Sequence, residues 1–218
     1  MIKGFIFDLD GVIVDTAKYH YLAWKKLTDE LGLKFDIRDN ELLKGVSRRR
    51  SFEIILELNG IKMSEEDIQK YCAIKNRYYL EYIEGLRDDE TLPGAKEFIK
   101  EARKKDYRIA LGSASKNSRK ILEKLQIIDL FDAIVDGTKV AHAKPDPEVF
   151  LKGADELSLK PEQCMVFEDS SAGIMAAHNG NMKAVGVGNG SVKAYADYFI
   201  ERFIDADPAI VARKVLGE

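Results

Sequence analysis

Short apolar runs alternate with longer amphipathic stretches over the second half of the chain. A first apolar run at residues 2–7 is followed much later by five more, and we predict strands at 2–7, 108–112, 133–135, 163–167, 183–187 and 198–200. Helical spacing predicts helices at 96–105, 118–125, 147–157 and 171–179. Alternation of strands and helices favours a parallel sheet covered by helices.

A different pattern fills the space between the first run and the rest. From about residue 16 to 84 only helical spacing occurs, and Ser64 is typical of a helix N-cap. We therefore predict an α/β fold, a Rossmann-like parallel sheet with helices on both faces, with an inserted α-helical cap domain. The predicted core comprises 1–14 and 88–218, the cap comprises 15–87, and the crossings near 15 and 85 are candidate hinges.

Composition narrows the function classes. The 218 residues carry 34 basic and 37 acidic side chains, a net charge of −3, and 45% apolar residues, with no basic face that would favour nucleic acid. Cys72 and Cys164 are far apart, so neither a disulfide framework nor a zinc site is indicated. No apolar run approaches a membrane span. We expect a cytoplasmic, monomeric protein with no nucleic-acid or membrane partner.

The first predicted strand ends in an acid pair, Asp8 and Asp10, followed by Gly11. Because side chains alternate along a strand, we expect the two acids to share a face. Parallel α/β sheets bind ligands beyond the carboxyl ends of their strands, which is where this pair lies. The structural alternative is that one aspartate caps the next helix and the other is solvated.

Other predicted strands also end in polar groups that suit a phosphate site. Ser113 to Asn117 open a helix, Lys144 precedes Pro145, and Glu168 and Asp169 follow an apolar run. Taken singly, Ser115 is typical of an N-cap and Lys144 of a surface lysine. Together, the carboxylates need a cation, and oxygen-only ligands favour Mg²⁺ bound between carboxylates and a substrate phosphate.

These motifs resemble those of the haloacid dehalogenase-like phosphotransferases. Asp8-Leu9-Asp10-Gly11, Ser113, Lys144-Pro145 and Glu168-Asp169 match the four family motifs in order. The resemblance implies Asp8 as nucleophile, Asp10 as acid and base, and Mg²⁺ held by Asp8, the Asp10 carbonyl and Asp169 with help from Glu168. It also implies that Ser113, Ala114 and Lys144 bind the transferring phosphoryl group.

Motifs in the predicted cap are similar to those of the β-phosphoglucomutase branch of that family. They are the stretch from Leu43 to Arg48, then Ser51, and Lys75. The resemblance implies that the substrate and its distal phosphate are bound by Thr16, His20, Trp24, Lys44, Gly45, Val46, Arg48, Ser51, Lys75, Ser115, Lys116 and Asn117. A mutase needs a second anion site, and the planar fork of Arg48 suits phosphate. Singly, His20, Arg48 and Lys75 are equally typical of ordinary helix surface or core positions.

The reaction implied is interconversion of β-D-glucose 1-phosphate and glucose 6-phosphate through an aspartyl phosphate, with glucose 1,6-bisphosphate as phosphorylating primer. Two alternatives remain open. A Mg²⁺-dependent phosphatase for a small sugar phosphate or phosphoglycolate uses the same core motifs. A signalling receiver domain also groups acids, a hydroxyl and a lysine, but the helical insertion is larger than such a module needs.

Overall fold

A computed structural model describes residues 1–43, 46–188 and 190–218. The chain divides into two compact units. The first unit consists of Met1–Asp15 and Arg87–Glu218, and the second unit of Thr16–Leu86. That these units act as catalytic core and cap stays a prediction.

The first unit is built on a parallel sheet. Its strands are β1 Gly4–Phe7, β2 Arg108–Gly112, β3 Ala133–Val135, β4 Cys164–Glu168, β5 Lys183–Val187 and β6 Tyr198–Ile200. They lie in the order β3-β2-β1-β4-β5-β6, and every neighbouring pair is parallel. The predicted fold class is confirmed. β4 begins and ends one residue later than predicted, so Glu168 is the last residue of the strand and not a loop residue.

The described residues form helices in both units. The second unit has α1 Ala17–Glu30, α2 Arg48–Leu58 and α3 Glu65–Glu84, and the first has α4 Ala95–Lys104, α5 Ser118–Lys124, α6 Glu148–Glu156, α7 Ser171–Asn179 and α8 Pro208–Lys214. Helix α8 was not expected from the apolar pattern. Its signal is Asp207 before Pro208, since the Asp207 carboxylate accepts the N–H groups of Ala209 and Ile210. Among these described helices, none has the length and apolarity required to cross a membrane.

The central strand β1 is buried on both faces by different partners. Phe5 and Phe7 point to one face, where their rings lie 6.2 and 6.3 Å from that of Phe98 on α4. Ile6 points to the other face, in a cluster with Phe150 of α6 and others. Alternation of side chains along the strand explains this split. Helices therefore cover both faces, as predicted, and this packing fixes the strand end that carries Asp8.

The second unit packs its three helices around aromatic rings. Trp24 of α1 stacks on Phe52 of α2, with centroids 5.7 Å apart and an interplanar angle of 8°. Phe52 also meets Tyr71 of α3 at 5.9 Å. Ser64 caps α3 as predicted, because its hydroxyl accepts the N–H of Asp67. Trp24, expected to bind substrate, is thus part of this unit's buried core.

Candidate active site

The site of the first unit forms where three neighbouring strands end. Asp8 directly follows β1, Ser113 directly follows β2, and Glu168 closes β4. In the register of the sheet, Phe7 pairs with Leu111 on one side and with Phe167 on the other. Because the strands are parallel and adjacent, their final side chains share one edge of the sheet.

Asp10 reaches this edge by a different route from the one predicted. Strand β1 ends at Phe7, so strand alternation does not orient Asp8 and Asp10. A tight turn follows, in which the Gly11 N–H donates to the Val14 carbonyl and Asp10 pairs with Val14 as an isolated bridge. Burial is the main cause that raises the pKa of Asp8, and the charge of Asp10 adds a smaller rise. The position of Asp10 is set by this turn and not by strand alternation.

Lys144 is the cation of the site. Its ammonium donates to Asp8 Oδ1 at 2.6 Å and to Glu168 Oε1 at 2.8 Å, and its side chain is only 11% exposed. Burial disfavours the charged amine, but Asp8 and Glu168 outweigh burial and raise the pKa of Lys144. The lysine therefore remains an ammonium ion. The Lys144-Pro145 peptide bond is cis.

The carboxylates of this site repel one another. Oxygens of Asp8, Glu168 and Asp169 all lie within 4.8 Å of one another. Burial, and then Glu168, raise the pKa of Asp169 to about 7, and burial likewise raises the pKa of Asp8 well above its ordinary range despite Lys144. Lys144 alone does not neutralise three carboxylates. An oxygen-only donor set of this kind fits a hard divalent cation such as Mg²⁺.

Backbone groups fix the orientation of Glu168. Its Oε2 accepts the N–H of Asp169 at 2.6 Å and the N–H of Ser170 at 2.8 Å. The Ser170 hydroxyl also donates to this oxygen at 3.1 Å, and accepts the Gly173 N–H as N-cap of α7. Ser170 and Gly173 were not among the site residues predicted from the sequence. The sequence signal for them is a serine at a helix N-cap, whose hydroxyl accepts the N–H of the residue three positions later.

The loop after β2 is ordered by its own hydroxyls. Ser113 is buried, its N–H donates to the Val135 carbonyl, and its Oγ accepts the Ser115 N–H at 3.2 Å. Ser115 Oγ in turn lies 3.3 Å from the Asn117 N–H. Helix α5 begins only at Ser118, with Asn117 at the N-cap position, so Ser115 orders the loop before the helix. Ala114 and Lys116 are exposed.

A histidine and a lysine meet inside the second unit. Lys75 is 1% exposed, and its ammonium lies 2.8 Å from His20 Nδ1. The same ammonium is 4.9 Å from the centroid of the Trp24 ring and 5.0 Å from that of Tyr79. Burial lowers the pKa of His20 well below its usual value, and the charges of Lys75 and Arg48 lower it further. His20 is therefore neutral, with Nδ1 accepting from Lys75 and the proton on Nε2.

The three arginines that begin α2 differ in their surroundings. Arg49 pairs with Glu53 and Glu65, and Arg50 with Glu57. For Arg48, by contrast, no ion pair is found among the described residues, and burial lowers the pKa of its guanidinium. Of the three, Arg48 is therefore the one whose charge is left for an external anion.

The other predicted cap residues are distributed as follows. Thr16 and Ser51 are buried, and the Ser51 hydroxyl donates to the Ser47 carbonyl at 3.1 Å, whereas Val46 is exposed. Lys44 and Gly45 lie outside the described residues. The functional roles assigned to all the site residues stay predictions.

Comparison with known proteins identifies the family. Residues 5–187 match the model of the haloacid dehalogenase-like hydrolase family. A β-phosphoglucomutase of Bacillus subtilis is 43% identical over 206 residues, 94% of this chain and 91% of that protein. A fructose-1-phosphate phosphatase of Escherichia coli is 33% identical over 84% of this chain and 95% of its own.

Solved structures agree with the sequence comparison. The crystal structure of a β-phosphoglucomutase from Clostridium difficile superposes with a TM-score of 0.92 at 40% identity, covering 100% of this chain and 98% of that one. Family model, relatives and structure thus converge on one assignment. The chain belongs to the haloacid dehalogenase-like hydrolase family.

Proposed function

We propose that this chain is a β-phosphoglucomutase, interconverting β-D-glucose 1-phosphate and glucose 6-phosphate. The observation that carries the proposal is the 43% identity to the B. subtilis β-phosphoglucomutase, which extends over 94% of the chain. An alignment of this length includes most of both units. The structural similarity to the C. difficile β-phosphoglucomutase covers 100% of the chain and supports the same proposal.

Asp8 is the proposed nucleophile, and Asp10 the proposed acid and base. In the first transfer, the bond between phosphorus and the Asp8 carboxylate oxygen breaks while the 6-hydroxyl oxygen of glucose 1-phosphate bonds to phosphorus. Asp10 takes the hydroxyl proton. The product of this step is β-glucose 1,6-bisphosphate, and Asp8 is again a free carboxylate.

The second transfer reverses the roles with the other phosphate. The 1-phosphate of the bisphosphate passes to Asp8, Asp10 returns its proton to the departing sugar oxygen, and glucose 6-phosphate leaves. Because each cycle starts from phosphorylated Asp8, a trace of glucose 1,6-bisphosphate is the proposed primer. Lys144 stays charged beside Asp8 and holds the transferring phosphoryl group together with Ser113 and Ala114.

Metal use is general in this family, and the carboxylate cluster fits Mg²⁺. The residues that would hold it are Asp8, Glu168 and Asp169, with the Asp10 carbonyl. When bound, Mg²⁺ supplies neutralisation of charge on the transferring phosphoryl group.

The second unit supplies the proposed recognition of the distal phosphate. Arg48, without an ion pair among the described residues, offers a planar two-pronged donor to that phosphate. Lys75 fixes His20 as a neutral donor through Nε2. Thr16, Trp24, Lys44, Gly45, Val46 and Ser51 are proposed to complete this set. Ser115, Lys116 and Asn117 of the first unit are also proposed to bind substrate.

A phosphatase is the second candidate, since relatives with the same core have phosphatase names. Besides the E. coli protein, a phosphorylated carbohydrates phosphatase of Thermotoga maritima is 31% identical over 84% of this chain. A phosphatase transfers the phosphoryl group from Asp8 to water, and so needs no bisphosphate.

Phosphorus NMR separates the two reactions. The protein is mixed with Mg²⁺, β-D-glucose 1-phosphate and a trace of glucose 1,6-bisphosphate. A mutase gives growth of the glucose 6-phosphate signal with little inorganic phosphate, at a rate that depends on the primer. Inorganic phosphate as main product, independent of primer, would replace the mutase with the phosphatase.

Arg48 provides a sharper test within the same assay. Replacing Arg48 with Ala removes the proposed distal-phosphate donor and should lower kcat/KM by about 10- to 100-fold, as expected for loss of a charge-assisted contact worth about 1.5–3 kcal/mol. Arg49→Ala is the matched control, because Arg49 is already paired with Glu53 and Glu65. Equal losses in the two variants would remove Arg48 from the proposed phosphate site.

A further inference from the structure

One glycine of the first unit lies unusually close to the acidic site. If Gly173 of α7 carried a Cβ atom, that atom would lie 1.7 Å from Glu168 Oε1, 2.0 Å from Cδ and 2.5 Å from Cγ. Real Cβ atoms do not approach other heavy atoms this closely. The space that a side chain would fill at position 173 is therefore occupied by the carboxylate of Glu168.

The backbone conformation at position 173 does not require glycine. Gly173 lies in the first turn of α7, and its φ is not in the left-handed region that favours glycine. Within a helix, glycine is a poorer former than alanine because it loses more conformational freedom on folding. A packing requirement is therefore the explanation for glycine at this position.

We infer that Gly173 is a positioning residue for the metal site, because the missing methyl group is what lets the Glu168 carboxylate lie against the first turn of α7. The inference rests on the metal site of the proposed function. It extends that function by assigning a role to a residue with no chemical group of its own.

The contacts of Glu168 explain how a displacement of its carboxylate would affect the other residues of the site. In its present place, Oε2 accepts two backbone N–H groups and the Ser170 hydroxyl, while Oε1 accepts from Lys144. Lys144 also bonds Asp8. A methyl at position 173 pushes the carboxylate off these donors. The displacement misplaces one proposed ligand directly and shifts Lys144, the donor that Glu168 shares with Asp8.

The test is Mg²⁺ binding by isothermal titration calorimetry to the full chain without substrate. Outer-shell changes at metal sites commonly cost about 10- to 100-fold in affinity, and we expect a loss of at least about tenfold in Gly173→Ala. The matched control is Gly153→Ala in α6, another buried helical glycine. The three atoms nearest to its Cβ would be side-chain carbons of Ile6 and Ala110, at 3.3 to 3.9 Å, and Mg²⁺ affinity should stay within about twofold of wild type.

A double variant shows whether the loss passes through Glu168. Glu168→Ala removes Cγ, Cδ and Oε1, the three atoms that a Cβ at position 173 would meet most closely. In that background, Gly173→Ala should change Mg²⁺ affinity by less than about threefold, because the two changes act on one contact. If Gly173→Ala alone fails to fold, circular dichroism shows whether the double variant folds. Recovery of folding in the double variant supports the same contact.

Three results would overturn the inference: wild-type Mg²⁺ affinity in Gly173→Ala, an equal loss in both backgrounds, or a double variant that does not fold although Glu168→Ala does. None of these depends on which product the enzyme releases. If the enzyme is a phosphatase and Gly173→Ala still lowers Mg²⁺ affinity, the proposed mutase reaction is contradicted and this inference stays intact.

Discussion

The two units of the molecule concentrate charge of opposite sign. In the first unit, carboxylate oxygens of Asp8, Glu168 and Asp169 lie within 4.8 Å of one another around a single described ammonium, that of Lys144. In the second unit, burial lowers the pKa of His20, and the charges of Lys75 and Arg48 lower it further. One set of groups suits a cation, and the other an anion.

Neither set is explained by stability. Like charges about 4 Å apart repel by roughly 4 kcal/mol at an effective dielectric of 20, and burial adds a desolvation cost. A fold selected only for stability would avoid both arrangements. The two sets of charged groups match the chemistry of a phosphate ester and its divalent counter-ion. Variants that alter one set and leave the other unchanged test whether each set has this role.

The largest effect is expected from Asp8→Asn, which keeps the shape of the side chain but removes the nucleophilic carboxylate. Turnover should fall by on the order of 10⁴-fold or more, as for loss of other nucleophiles. The assay is glucose 6-phosphate formation, with trapping of phosphorylated protein after incubation with glucose 1,6-bisphosphate. Neither product nor phosphoprotein should appear.

Asp136→Asn is the matched control. Asp136 is also a buried aspartate beyond a strand end, following β3, but its carboxylate accepts the Thr138 N–H and lies outside the acidic cluster. The folded fraction of this variant should keep turnover within a few-fold of wild type. An active Asp8→Asn protein would refute the nucleophile assignment.

Lys144→Met should have the next largest effect, on both stability and turnover. Breaking a buried pair by removing one partner typically costs about 3–5 kcal/mol, because the remaining charges lose their counter-ion. Urea unfolding without Mg²⁺ should show a loss of this size, and saturating Mg²⁺ should restore part of it by binding the folded state. Turnover should fall by about 10²- to 10³-fold.

The comparison variant is Lys152→Met. Lys152 pairs with Glu148 at 2.6 Å, but its side chain is 45% exposed, so its loss should cost at most about 1 kcal/mol. If the two lysine variants lost equal stability, the pairing of Lys144 with Asp8 and Glu168 would not be the source of its effect.

The sheet could be predicted from the sequence because its signals are local. Short apolar runs bounded by turns identified all six strands, and the order of strands and helices indicated a parallel sheet. Helix α8 was missed because its seven residues are too short to show a helical period, and only the Asp207-Pro208 capping signal marks it. The turn at Asp10 was missed because alternation was extended past the end of β1.

The site was predictable only in part. The motifs named Asp8, Lys144, Glu168 and Asp169, and the structure brings these together. The difference between Arg48 and its two neighbours was readable only in part. Glu53 lies four residues after Arg49 and three after Arg50 on the same helix, whereas Glu65, the other partner of Arg49, belongs to α3 and is brought there by helix packing. The closeness of Gly173 to Glu168 is likewise a property of three-dimensional packing, which no residue pattern states.

The smallest predicted effect concerns the neutral state of His20. Its pKa is well below the usual value in the folded protein, so only the unfolded chain takes up a proton at this residue below about pH 6.5. Protonation of the unfolded state favours unfolding, and stability from this residue is lost as the pH falls. Between pH 7.5 and 5.0, the free energy of unfolding of wild type should fall by up to about 2 kcal/mol more than that of His20→Asn.

Urea unfolding of wild type and His20→Asn at the two pH values measures this difference. The pH dependence of His20→Asn should be flatter than that of wild type. Proton NMR of the imidazole gives an independent reading, since a neutral His20 with its proton on Nε2 should not titrate across this range. A His20 that titrates near pH 6.5 would mean that neither burial nor the charges of Lys75 and Arg48 lower its pKa, and the cationic character assigned to the second unit would lose its main support.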